Sequence, residues 1–252
     1  LYLDGTAEFT GSRELPSMDR GALGLRIHEG KPVLVHLPEP PPEESVTSRK
    51  VEATIAADGS AQLEWRGDVT GVHAGGWRGR YHSLSTQKKR VQEDLANEFP
   101  GLELAQVTAN DLEKIEEPVA IRARGKVAQL VRKDGATMTV SAGPREHMVR
   151  EYATLSARKR DIRIFALTTD ETDTTLHLPA GSKITGQPRA AKGDSPFGSY
   201  QVEVEVSGAQ VRTKTRVALK KSRIAAAEYP AFRAFCEEVD RALGQRVTYT
   251  RN

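Results

Sequence analysis

Apolar residues return at every second position over much of this chain, so the strand period outweighs the helix period. Val51, Ala53 and Ile55 alternate with polar neighbours, Asp58-Gly59 marks a turn, and Leu63 and Trp65 resume the alternation. A three-residue loop from Asp58 to Ser60 sets Ile55 opposite Leu63 and Ala53 opposite Trp65, whereas a two-residue loop sets apolar against polar. The pattern therefore predicts the longer, bulged hairpin. Strand patterns return at 102–107, 119–131 and 137–141, with Asp134-Gly135 as a further turn. Val202, Val204 and Val206 face one side and Glu203 and Glu205 the other. Gly208-Ala209 suits a two-residue turn, whose register pairs Glu205 with Arg212 and Glu203 with Lys214.

The helical period surfaces in a few places. Between Ser83 and Phe99 the residues Leu84, Val91, Leu95 and Phe99 share a face, Ser83 or Ser85 can cap, and Pro100-Gly101 stops the run. A second helix is expected from Glu146 to Leu155 on the strength of Met148, Val149, Tyr152 and Leu155, and Phe232, Phe235 and Val239 also recur at helical spacing. Four prolines at 38 and 40–42 forbid ladder hydrogen bonds and favour an extended spacer. The chain thus divides into 1–36, a linker at 37–44, a β lobe at 45–145 and a second β lobe with a C-terminal helix at 146–252, the two lobes either separate or forming one domain. The expected fold is mainly β: antiparallel, sandwich-like lobes with two or three packed amphipathic helices.

Composition narrows the function classes. The 252 residues are 38% hydrophobic and 6% aromatic with 13 Pro and 21 Gly, which fits a turn-rich globular chain. No run approaches the ~18–20 apolar residues of a spanning helix. A net charge of +3 from 37 basic and 34 acidic residues is near balance and does not imply nucleic acid. The stripe from Val211 to Val217 is basic, but opposite charges across its hairpin neutralise it. Lys220, Lys221 and Arg223 are left unopposed by that pairing and mark a candidate surface for a charged partner.

Motifs for metal or cofactor chemistry fail on spacing, and neither is expected. Asp170-Glu171-Thr172-Asp173 opens like a Ca²⁺ loop but lacks its Gly and closing Glu, and reads as a surface turn. His73 and His82 flank Gly75 to Tyr81 without a second ligand at a recognised spacing, and the glycines lack the Lys-Ser/Thr of a phosphate loop. Trp77 and Tyr81 with Arg78 and Arg80 could stack on a ligand, but an irregular strand or hairpin tip is the default for this stretch. The one thiol, Cys236, lies on the predicted C-terminal helix beside Glu237 and Glu238, a setting for a buried, unreactive Cys.

The run Leu1 to Phe9, which reads as strand and turn, with Arg13-Glu14-Leu15-Pro16 and Asp19-Arg20-Gly21-Ala22 after it, resembles the segment that closes the catalytic core of bacterial transglutaminase-like proteins. Leu178 to Ile184, Ser195 to Tyr200 and Ile224 to Phe235 resemble, in order, segments of the C-terminal domain that follows that core. The resemblance implies that the chain is a fragment of a multidomain protein of the bacterial envelope or periplasm. It implies too that Asp4 is the carboxylate of a Cys-His-Asp triad whose other members lie upstream. In such a site a thiolate attacks a carbonyl, a His moves the proton and the carboxylate orients the imidazole. Two functions follow. One is a non-catalytic accessory region of a cysteine peptidase or acyl transferase, supplying Asp4 and a β platform that positions a protein or peptide substrate. The other is a binding or scaffold module of an envelope protein whose core has lost activity.

Overall fold

The computed structural model describes residues 2, 4–12, 14–143 and 147–251. Strands β1 (Leu23–His28) and β2 (Lys31–His36) form a free-standing antiparallel ribbon. Past the prolines, β3 (Val46–Ile55) and β4 (Ala61–Val69) make the expected hairpin, then come α1 (Ala74–Tyr81), α2 (Leu84–Ala96), β5 (Leu102–Ala109) and β6 (Val119–Val127). Next are β7 (Arg132–Asp134), β8 (Thr137–Ser141), α3 (Met148–Tyr152), β9 (Ile162–Arg163), β10 (Thr169–His177), β11 (Ser182–Gly186) and β12 (Ala191–Asp194). The chain closes with β13 (Gly198–Ser207), β14 (Gln210–Leu219), β15 (Arg223–Ile224), α4 (Tyr229–Leu243) and β16 (Arg246–Arg251).

The protein is mainly β. Its large sheet has eight strands in the order β12-β13-β14-β10-β3-β4-β6-β5, and a smaller sheet runs β11-β16-β8-β7. All neighbours in the large sheet are antiparallel except β10 and β3, which run parallel with Thr169 beside Val46. That pair joins residues from both expected lobes, so one sheet runs through them. Two apolar clusters lie against it. One gathers Val51, Leu63, Trp65, Ile121 and Val127 with Val91 and Leu95 of α2 and Val140, Val247 and Tyr249 of the smaller sheet. The other gathers Tyr200, Val202 and Val217 with Phe232, Phe235 and Val239 of α4. Between them the strand face turns polar, with Thr172, Thr174, Thr213 and Thr215 buried.

Several sequence expectations need correction. The β3–β4 loop does have three residues, but they are Ala57 to Gly59, since Ala56 N–H donates to Ser60 O at 2.8 Å. Ala53 therefore faces Leu63 and Val51 faces Trp65. Gly59 takes the left-handed position (φ +90°) that closes such a loop, and Asp58 Oδ1 accepts from Ser60 N at 2.9 Å, fixing the earlier register. The other register prediction holds, with Glu205 opposite Arg212 and Glu203 opposite Lys214.

Residues 74–81 are a helix rather than an irregular strand. Its glycines give it little intrinsic propensity, and tertiary bonds override that: buried Arg78 donates to Phe9 O at 3.1 Å and to Glu117 O. Asp170 to Asp173 lie in the central strand β10, not a turn. Asp173 is held by Arg212 at 2.6 Å and Glu171 by Arg216 at 3.2 Å, so their charges are matched across the ladder. In α2, Leu84 is 86% exposed and Gln87 takes the inward position, its Nε2 donating to Tyr81 O at 2.8 Å. The helix expected from Glu146 shortens to α3, with Glu146 itself outside the described residues. Asp240 of α4 caps α3, accepting from Met148 N at 2.7 Å and Val149 N at 3.1 Å.

Candidate functional site

Asp4 lies in a turn, and residues 4–12 form no strand; Leu1 and Leu3 of the expected strand are outside the described residues. Its Oδ1 accepts from Thr6 N at 2.8 Å and from Thr6 Oγ1 at 2.6 Å. Those bonds hold the carboxyl below its usual range, so it is ionised at neutral pH. Among the described residues no His donates to it. Cys236 is buried in α4, and burial, with Asp240 and Glu237 adding, pushes its thiol up to about 12. A thiol that keeps its proton is no nucleophile.

The basic trio at 220–223 is less open than the hairpin register alone suggests. Lys220 pairs with Asp194, and Lys221 Nζ reaches Glu228 Oε1 at 2.5 Å, in a neighbourhood the sequence pattern could not assign. Arg223, exposed on β15, has no carboxylate partner among the described residues. The surface keeps one open cation of the three.

The concave feature is a cavity of about 1060 Å³ between the large sheet, α2, β8 and the approach to α3. Its lining includes Trp65 of β4 and Trp77 of α1, whose rings stack 6.2 Å apart. Both indoles lie across Gly67: a Cβ there would stand 2.3 Å from Trp65 Cη2 and 2.8 Å from Trp77 Cη2, so only bare backbone fits beneath them. Arg78 and Arg80, suggested by the sequence as ligand-stacking partners, are occupied internally: Arg80 Nη2 donates to Asp94 at 2.6 Å, and Tyr81 Oη to the same carboxylate at 2.7 Å. Glu98, also in the lining, is pushed up by burial against the opposing pull of Arg49. A second cavity of about 710 Å³ shares Arg49 and Trp77 with the first. At that junction Arg49 lies 3.5 Å from Asp170, whose carboxyl is raised by burial. His73, in the second cavity, is held below its usual range, chiefly by desolvation, and favours the neutral imidazole.

Two features of the larger cavity have no sequence signature. Trp65 Nε1 and Thr174 Oγ1 are buried without a hydrogen-bond partner, and Arg132, Arg150 and Arg246 line the same space from three different elements. Only the fold assembles them. Among the described residues no group of three His, Cys, Asp or Glu side chains could hold a metal ion, and no helix is long and apolar enough to cross a membrane.

Comparison with known proteins places part of the chain. A family model described as a domain of unknown function with a solved structure, DUF3858, matches residues 136–249. No curated protein matches. One similar solved structure, described as a "putative protease" from Parabacteroides distasonis, shares 19% identity over 38% of this chain, with a TM-score of 0.35. The match spans 19% of that protein's length. Residues 136–249 are therefore similar to a domain whose role is undefined.

Proposed function

We propose that residues 1–36 complete the core of a transglutaminase-like cysteine peptidase or acyl transferase, with Asp4 as its triad carboxylate. The β region behind them is then a non-catalytic platform that positions a protein or peptide substrate, and the periplasm or envelope is the compartment the resemblance implies. The observation that carries this reading is the β1–β2 ribbon. Leu23, Leu25, Ile27 and Leu34 share one of its faces, and they are 59%, 61%, 69% and 66% exposed. A two-stranded ribbon is marginal in water by itself, and an apolar face on it calls for a covering layer. An upstream core ending in this ribbon would supply that layer.

The test uses the native polypeptide from its own cell. Intact mass and N-terminal sequencing should give a product larger than 27.6 kDa with a Cys and a His upstream of Leu1. Its thiol-dependent hydrolysis of peptide or ester substrates should then fall roughly 10³–10⁴-fold in the Asp4→Asn variant, the scale expected when a triad imidazole loses its orienting group. Unchanged activity in that variant would overturn the role of Asp4. A native product lacking the upstream Cys or His would favour the scaffold module.

A further inference from the structure

We propose that the larger cavity binds an organic carboxylate, its charged end among Arg132, Arg150 and Arg246 and its further oxygens on Trp65 Nε1–H and the Thr174 hydroxyl. The inference is independent of Asp4 and goes beyond the platform role, because it gives the platform a ligand class.

The two orphaned donors come first. Trp65 is 6% and Thr174 3% exposed, and neither polar atom has a partner. Buried polar groups are almost always paired, because leaving one unpaired forfeits its hydration without return. Indole N–H can only donate, so what completes Trp65 must be an acceptor. Thr213 and Tyr249 also carry unpartnered buried hydroxyls, but neither is in the lining of this cavity. At Thr174 and Trp65 the missing partner and the empty volume coincide. A Cβ added at Gly143, also in the lining, would stand 3.6 Å from Thr174 Oγ1, which locates the hydroxyl on that side of the space.

Charge then selects among acceptors. Several arginines elsewhere on the sheets are matched, as with Arg66 and Asp68, Arg124 and Glu64, or Arg212 and Asp173. Among the described residues Arg132, Arg150 and Arg246 have no carboxylate partner, although all three line one cavity. Of the acids in the same lining, Asp94 is engaged by Arg80 and Tyr81, and burial favours the protonated form of Glu98. All three are exposed residues of that lining, open to an incoming ligand, and their planar guanidinium groups suit a carboxylate, which accepts in a bidentate fashion. A volume of about 1060 Å³ exceeds what a lone inorganic anion needs and lies at the upper end of organic-ligand pockets.

The sequence contains two tryptophans and both line this cavity, so intrinsic fluorescence of the whole chain reports on it directly. Three probes are titrated: N-acetyl-trialanine, its C-terminal amide, and glutarate. At least one carboxylate should shift the emission saturably, and the amide should bind about tenfold more weakly than its acid, the scale of one charge-assisted contact. Arg150→Gln and Thr174→Val should each weaken the carboxylate about tenfold. Thr174→Val should at the same time keep or raise the thermal midpoint, since it removes a buried unpaired hydroxyl, and this separates lost binding from a lost fold. Preference for the peptide acid identifies a chain terminus as the source, and parity or preference for glutarate identifies a small free acid. The proposal is overturned if neither carboxylate perturbs the tryptophans up to about 10 mM, if acid and amide bind equally, or if both variants bind as the wild type does. Any of those results leaves water as the occupant.

Discussion

The two hairpins β13–β14 and β1–β2 obey one backbone rule and meet opposite fates. Each has a regular antiparallel register with apolar residues on one face. In β13–β14 that face carries Tyr200, Val202 and Val217, buried under α4, while Glu205 and Arg212 meet across the other face. In β1–β2 the equivalent residues stand in solvent. Both ladders are antiparallel, but β13–β14 lies between β12 and β10 in the large sheet and under α4, whereas β1–β2 pairs only with itself; neighbouring strands and a covering layer make the difference. Where that layer is present it sets stability, and where it is absent the ribbon advertises an interaction.

The contrast can be broken hardest at the layer itself. Phe232 is fully buried and packs edge-on against Phe197, with centroids 5.5 Å apart, so Phe232→Ala should cost about 3–5 kcal/mol in urea unfolding. One step down, Asp240→Ala leaves two α3 amides without their acceptor and should cost about 1–2 kcal/mol by the same measurement. Next is a carboxyl that resists its layer. Glu98 has a native pKa raised above its ordinary 4.5, so between the two values the folded state holds the proton more tightly. Wild-type stability should fall as pH rises through that window, and the cost should persist above it. Glu98→Gln should accordingly be the more stable protein at neutral pH, with the gap closing below about pH 4.5, as thermal scans across pH would show. The smallest effect belongs to the uncovered ribbon: Leu25→Ser with Leu34→Ser should change the stability of this chain by under about 0.5 kcal/mol. A loss well above that would mean the ribbon is covered after all.

The sequence made β13–β14 readable because its charges, its valine alternation and its Gly-Ala turn all agree on one register. The α4 helix was equally plain from Phe232, Phe235 and Val239. Helix α1 was hidden because its reasons lie far away, in carbonyls of Phe9 and Glu117 that bind Arg78. Strand β10 was hidden by composition: its Asp and Glu suit a turn until Arg212 and Arg216 of the adjacent strand are seen opposite them. Of the candidate site, the sequence supplied Trp77 as a stacking residue but assigned Trp65 to the core and gave no reason to notice Thr174, Arg132 or Arg246. An unmet donor is a relation between places, and no local pattern encodes it.

The parallel pairing of β10 with β3 also dictates an order of events on the ribosome. While the first half emerges, β3 can pair with β4, but its other edge stays open until Thr169 and its neighbours have been made. An open strand edge recruits foreign strands, and charged residues on it discourage that. Arg49 and Lys50 sit midway along β3. The same Arg49 that later pairs with Asp170 thus begins as a guard for an unfinished sheet, and nascent chains lacking both cations should aggregate before the finished protein shows any defect.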